Sequence, residues 1–184
     1  MDAYYTTPVG PFATALGANF NTFTTRQDIS AVPSPIIAAN QLRIGSKIKI
    51  EAEGEVSTTA TPTLVLGIYG GLPGASGAPA ALTMILAESS ALSFATAAAW
   101  AWRLEWRGLI TAIGTAGSVV GQGDIEFGTS LTAFTDAPIP ITAALRTVTW
   151  DTTLDRALGM CGTFSASSVS NNVRVHNFSC LLLN

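Results

Sequence analysis

His176 is the only histidine in the chain, so any Ser-His-Asp relay would have to be built around it. It stands beside Arg174 in an alternating segment, and no G-x-S-x-G nucleophile turn occurs anywhere. A structural or interfacial histidine is the reading. Zinc takes three or four closely arrayed His or Cys ligands. One histidine with Cys161 and Cys180 at wide spacing does not supply them. Glycoside hydrolysis needs two carboxyls about 5–9 Å apart in a cleft. Glu88, Glu105, Asp124, Glu126, Asp151 and Asp155 are candidates, but 12 acids spread over a chain of strands produce close pairs by chance. Gly121-Gln122-Gly123-Asp124 is glycine-rich, yet no helical pattern follows it to hold a phosphate. Asp124 and Glu126 lack the surrounding loop signature of a calcium site. Asn177-Phe178-Ser179 matches a glycosylation sequon, which matters only in a secreted chain. No catalytic residue, metal set or cofactor is therefore expected.

Two stripes remain. Trp100, Trp102 and Trp106 share one parity of an alternating run. They read as sandwich core or, alternatively, as an exposed platform that stacks on a host-surface glycan. Lys47, Lys49, Glu51, Glu53 and Glu55 alternate with Ile48, Ile50, Ala52, Gly54 and Val56. Strict period-two alternation marks a half-buried antiparallel strand with one solvated face. That charged face is placed to pair with Arg103 and Arg107 across strands or subunits.

The elements that would position these residues are nearly all strands. After residues 46–56 come apolar runs at 63–70 and 82–87, separated by Gly/Pro loops. Residues 89–99 suit either a short helix or a loop with one helical turn. Strands follow at 100–113 and 118–127, then a loop at 129–141 carrying Pro138 and Pro140, then a short strand at 145–150. Residues 154–164 and 172–184 flank a Ser/Asn segment and read as a closing hairpin. On that pairing Cys161 and Cys180 lie too far apart for a disulfide and serve as small apolar groups. In the last strand Val173 and Val175 share one parity while Phe178, Cys180 and Leu182 share the other. Either a bulge near His176 and Asn177 brings both sets to one face, or the strand is buried on both sides. The expected fold is all-β: a jelly-roll-like antiparallel β-sandwich over residues 35–184, with an extended N-terminal arm over residues 1–34. The arm's Tyr4, Tyr5, Phe12, Phe20 and Phe23 are too many aromatics for a solvated tail. They pack on the same core, on a sister subunit or on a partner.

At 184 residues the chain suits one domain. Charged residues make up 11%, against about 25% in a typical soluble domain, and mean hydropathy is +0.39. So little charge favours obligate self-association, a homo-oligomer, over a Thr-rich monomer. Leu181, Leu182 and Leu183 are the candidates for that subunit interface. A net charge of −3 without a basic stripe argues against nucleic-acid binding. No apolar run reaches the roughly 18 residues that span a bilayer, so no membrane partner is expected. The opening MDAYYTTPVGPF lacks the charged and apolar regions of a secretory signal, which points to synthesis in a cytoplasm.

Three phrases carry a family resemblance: QLRIGSKIKIEAEGEVSTTATPTLVLGIYGG from Gln41, LEWRGLITAIGTAGSVVGQGDIEF from Leu104, and the ending WDTTLDRALGMCGTFSASSVSNNVRVHNFSCLLLN. They are similar to phrases that recur in virion proteins of tailed bacteriophages. In the ending, Phe164, Ser165, Ala166, Ser167, Ser170, Asn171, Leu183 and Asn184 match a pattern that closes such chains. The resemblance covers residues 41–184 and leaves out the arm. It implies a jelly-roll subunit of the phage particle, most like the capsid decoration (cement) proteins seated as trimers on the major capsid protein lattice. A head-fibre, tail or receptor-binding role is compatible. The family pattern brings no catalytic residues. The expectation is a non-enzymatic structural protein at the capsid surface. A cytokine-like or complement-like jelly roll is disfavoured by the absent signal and disulfide framework.

Overall fold

The computed structural model describes residues 6–8, 19–30, 34–59, 61–73, 79–130 and 132–183. Among these described residues fourteen strands form two antiparallel sheets. The larger holds β1 (Thr6–Pro8), β2 (Phe20–Asn21), β5 (Lys47–Ser57), β9 (Trp100–Ala112), β10 (Ser118–Gly128), β11 (Phe134–Ile139), β12 (Thr147–Thr149) and β14 (Asn172–Leu183). Its main order is β1-β14-β5-β9-β10-β11. The smaller holds β3 (Gln27–Asp28), β4 (Ile36–Ile37), β6 (Thr63–Pro73), β7 (Pro79–Glu88), β8 (Leu92–Ser93) and β13 (Arg156–Phe164), in the order β3-β13-β6-β7. The chain changes sheet between β2 and β3, β4 and β5, β5 and β6, β8 and β9, β12 and β13, and β13 and β14. The result is an all-β, jelly-roll-like sandwich. Among the described residues the one helical element is a 3-10 turn at Ala143–Arg146. Residues 89–99 form a loop carrying β8, not a helix.

Alternation sets the core. Ile48, Ile50, Ala52 and Val56 of β5 are buried, and so are Trp102, Leu104, Trp106 and Ile110 of β9. They meet Leu64, Leu66 and Ile68 of β6 and Leu158 and Met160 of β13 across the sandwich. The tryptophans fit because facing strand positions lack side chains. A Cβ on Gly54 would run into the Trp102 ring, and a Cβ on Gly108 or Gly121 into the Trp106 ring. In β14 the register shifts between Val175 and Asn177. This bulge at His176 turns Val173, Val175, Phe178, Cys180 and Leu182 all toward the core, as the change of parity suggested.

Two expectations are corrected. Residues 154–164 and 172–184 do not form a hairpin: β13 pairs with β6 in the smaller sheet, and β14 pairs with β5 in the larger. The Ser/Asn segment between them crosses the sandwich, whose sheets pack about 10 Å apart. Residues 129–141 are not simply a loop, because β11 pairs with β10 there. The described parts of the N-terminal stretch are extended and pack on the sandwich itself, one of the alternatives the sequence leaves open. β1 and β2 pair with β14, and β3 pairs with β13. They cover the edge that two long strands would otherwise leave open. Phe23 lies buried between them, its ring 5.2 Å from that of Phe164.

The smaller sheet is covered on its outer side as well. Tyr69, Leu82 and Cys161 form a second buried cluster there, with Ile85 against it. The Arg26 guanidinium lies 4.8 Å over the Tyr69 ring. This cover explains why β13 reads as a continuous apolar run: both of its faces are buried.

Candidate interaction face on the larger sheet

Most of the chain's charged side chains converge on the outer face of the larger sheet. Register places Lys49 opposite Arg107, Glu51 opposite Glu105, and Glu53 opposite Arg103. It also sets Asp124 opposite Glu105 and Glu126 opposite Arg103 and Asp136. Like charges directly across strands are unfavourable. Lys49 offsets the Glu51–Glu105 pair by reaching both, at 2.8 and 3.5 Å. The hydrogen bond to Glu51 is the main cause holding the Lys49 ammonium above its ordinary pKa, against some desolvation. Arg107 also pairs with Glu105, and Arg103 with Glu126 at 2.7 Å. Each exposed pair contributes about 0–1 kcal/mol, so the network organises the face more than it stabilises the fold.

One end of this face is different. Leu109 and Val120 are each 40% exposed. With Lys47, Lys49, Arg107, Arg146 and Leu183 they line a groove of about 690 Å³. The groove is apolar at its floor and cationic at its rim. Lys47 and Arg146 have no carboxylate partner among the described residues. At the far end His176 lies 3.5 Å from Glu55, which also accepts a 3.0 Å bond from Arg174. Arg174 in turn donates to Asn19. His176 Nδ1 is buried without a hydrogen-bond partner, and no serine hydroxyl bonds to the imidazole among the described residues. The histidine belongs to the bulge and its ion network.

Among the described residues no group of three His, Cys, Asp or Glu side chains is placed to hold a metal ion. The Glu88 carboxyl is held above its ordinary pKa; partial burial at the end of β7 raises it, and Arg26 opposes the rise. Burial pushes the Cys161 and Cys180 thiols up to about 12, so neither is a nucleophile near neutral pH.

The expected site residues fall out unevenly. Tyr4, Tyr5 and Phe12 lie outside the described residues. Phe20 is half-buried against the core, and Phe23 is part of it, so Phe23 is not a reaching contact. Leu182 is fully buried and is not an interface residue, because the bulge sends it inward. Leu181 and Leu183 are half-buried on the outer face, and Leu183 lines the groove. The glycan platform is also corrected: Trp102 and Trp106 lie in the core, 2% and 0% exposed, and Trp100 is half-buried against it. Leu109, Val120 and Arg146 were not singled out in the sequence, whereas Lys47 was, as part of the charged face of β5. The signal was there for two of them, since Leu109 and Val120 are apolar at the outward parity of their strands.

A second exposed feature lies where three loops meet. Gly45 N–H donates to the Ile110 carbonyl, Thr152 N–H to the Gly114 carbonyl, and Asn40 N–H to the Thr152 carbonyl. The Thr152 hydroxyl accepts from Gly114 N–H at 2.8 Å. On these tied loops Ile44, Ile113 and Leu154 are 67%, 52% and 43% exposed. No protein-family model matches the sequence, and no curated protein is found to match it.

Proposed function

We propose that the chain is a non-enzymatic structural protein of a bacteriophage virion. It decorates and stabilises the capsid by binding the assembled major capsid lattice as an oligomer. The observation that carries this reading is the apolar loop end: Ile44, Ile113 and Leu154 exposed on backbone tied by hydrogen bonds. Flexible loops would lose entropy on docking, whereas tied ones are already arranged. The phage resemblance of residues 41–184 supplies the partner. Decoration needs no chemistry. A protein that binds the assembled shell and not the free subunit stabilises the shell by mass action.

The test is co-sedimentation of the purified chain with undecorated particles of its phage and with unassembled capsid protein. The reading expects saturable binding to particles alone, at a copy number matching the lattice, and a higher temperature of particle disruption. Binding at only a few copies per particle would move the protein to the tail or a fibre. No binding to either would end the reading.

A further inference from the structure

We propose that the outer face of the larger sheet is a contact between two copies of this chain. The copies are related by a two-fold axis that runs across the strands between Lys49 and Glu51. The observation is a charge order. Along the outer side of β5 the side chains run Lys47, Lys49, Glu51, Glu53. A two-fold through the centre of that series sets Lys47 of one copy on Glu53 of the other, and Lys49 on Glu51. Face-to-face sheets pack with strands close to aligned, which keeps β5 over β5. An isologous contact requires this kind of self-complementary patch.

The neighbouring strands obey the same operation. Arg107 and Glu105 exchange across the axis on β9. Beside β10, Arg146 comes over Asp124 of the other copy. On this face Lys47, Glu53, Asp124, Asp136 and Arg146 are without an ion pair among the described residues, and the two-fold pairs all of them but Asp136. The groove over Leu109 and Val120 then receives the row containing Arg103 of the partner copy. The methylenes of an arginine cover apolar surface while its head stays at the rim. Five strands about 4.8 Å apart and four outward rows about 6.8 Å apart give a patch of roughly 650 Å². That is on the scale of the about 800 Å² that a standard interface covers on each partner. The contact is polar, so it is formed best at low salt. It does not rest on the decoration reading, since it concerns only how copies meet.

The test is the mass of the full chain in solution, by sedimentation equilibrium at low and at physiological salt. Wild type is expected to form dimers that loosen as salt rises. The variants Lys47→Glu/Lys49→Glu and Glu51→Lys/Glu53→Lys should each be monomeric, and their equimolar mixture should regain the dimer. A single chain carrying Lys47→Glu with Glu53→Lys should also dimerise, which separates lost contact from lost folding. A monomeric wild type, a three-copy mass, variants that still self-associate, or a mixture that stays monomeric would each overturn the two-fold contact. None of these would touch the co-sedimentation result.

Discussion

The indole of Trp106 occupies the space above Gly121, so that a Cβ on that glycine would fall inside the ring. Gly108 borders the same ring from its own strand, and Gly54 does the same for Trp102. Glycine weakens a strand by its flexibility. Here its absent side chain admits the largest groups of the core between the sheets. Fixing Trp106 fixes the spacing of β9 and β10, the two strands that carry Leu109 and Val120.

Gly121→Ala should therefore destabilise the fold by about 1–3 kcal/mol through overpacking. Gly54→Ala should do so as well, because its Cβ would also strike the Arg174 carbonyl. Urea midpoints at unchanged slope check this. An unchanged midpoint for Gly121→Ala would mean that the Trp106 ring sits elsewhere.

Phe23 tests whether the N-terminal stretch is part of the body. Its ring packs against Phe164 and is 7% exposed. Phe23→Ala should cost about 3 kcal/mol, the scale of a core phenylalanine truncation. A contact made only with an outside partner would leave the isolated chain's stability unchanged.

These two cases show what the sequence could and could not disclose. Period-two patterning over long strands was readable: β5 and β9 lie where alternation placed them, and the bulge at His176 is one of the two readings that the change of parity allowed. Alternation states which residues face inward but not which sheet a strand joins. Turn-forming serines and asparagines between Phe164 and Asn172 suit a hairpin and a crossing loop equally, so the β13–β14 pairing was misread. β2 and β3 are two residues each, too short to show any period, so the sequence leaves open whether the arm packs on this core or on a partner. The groove was missed for a different reason. Its floor is made by single apolar residues from several strands, which only register brings together.

The pH dependence of stability has a definite sign at Glu88. Burial raises its folded pKa above the ordinary glutamate value, with Arg26 opposing. A raised folded pKa means the neutral acid is preferred in the fold. Its contribution is fully present below the unfolded pKa and is lost as pH rises through the folded one. Glu88→Gln should thus be no less stable than wild type near about pH 7, with its relative advantage shrinking as pH falls toward about 4. Unfolding midpoints across that range check it. An advantage that grows on acidification would reverse the assignment.

Both thiols should be silent in the native protein. Cys161 is 3% exposed and Cys180 is 1% exposed. They lie on strands of different sheets and are not bonded to each other. Desolvation pushes each up to about 12, so the thiolate fraction at about pH 8 is negligible. For Cys161 the nearby Asp28 adds to the rise while Arg26 works against it. A thiol reagent should label neither residue until denaturant is added and should then label both. Labelling of Cys161 alone in the native chain would show that the cover over the smaller sheet opens, because Tyr69 and Leu82 share that cluster. Labelling of Cys180 would require something larger, since that side chain faces the space between the sheets and is reached only when the sandwich itself parts.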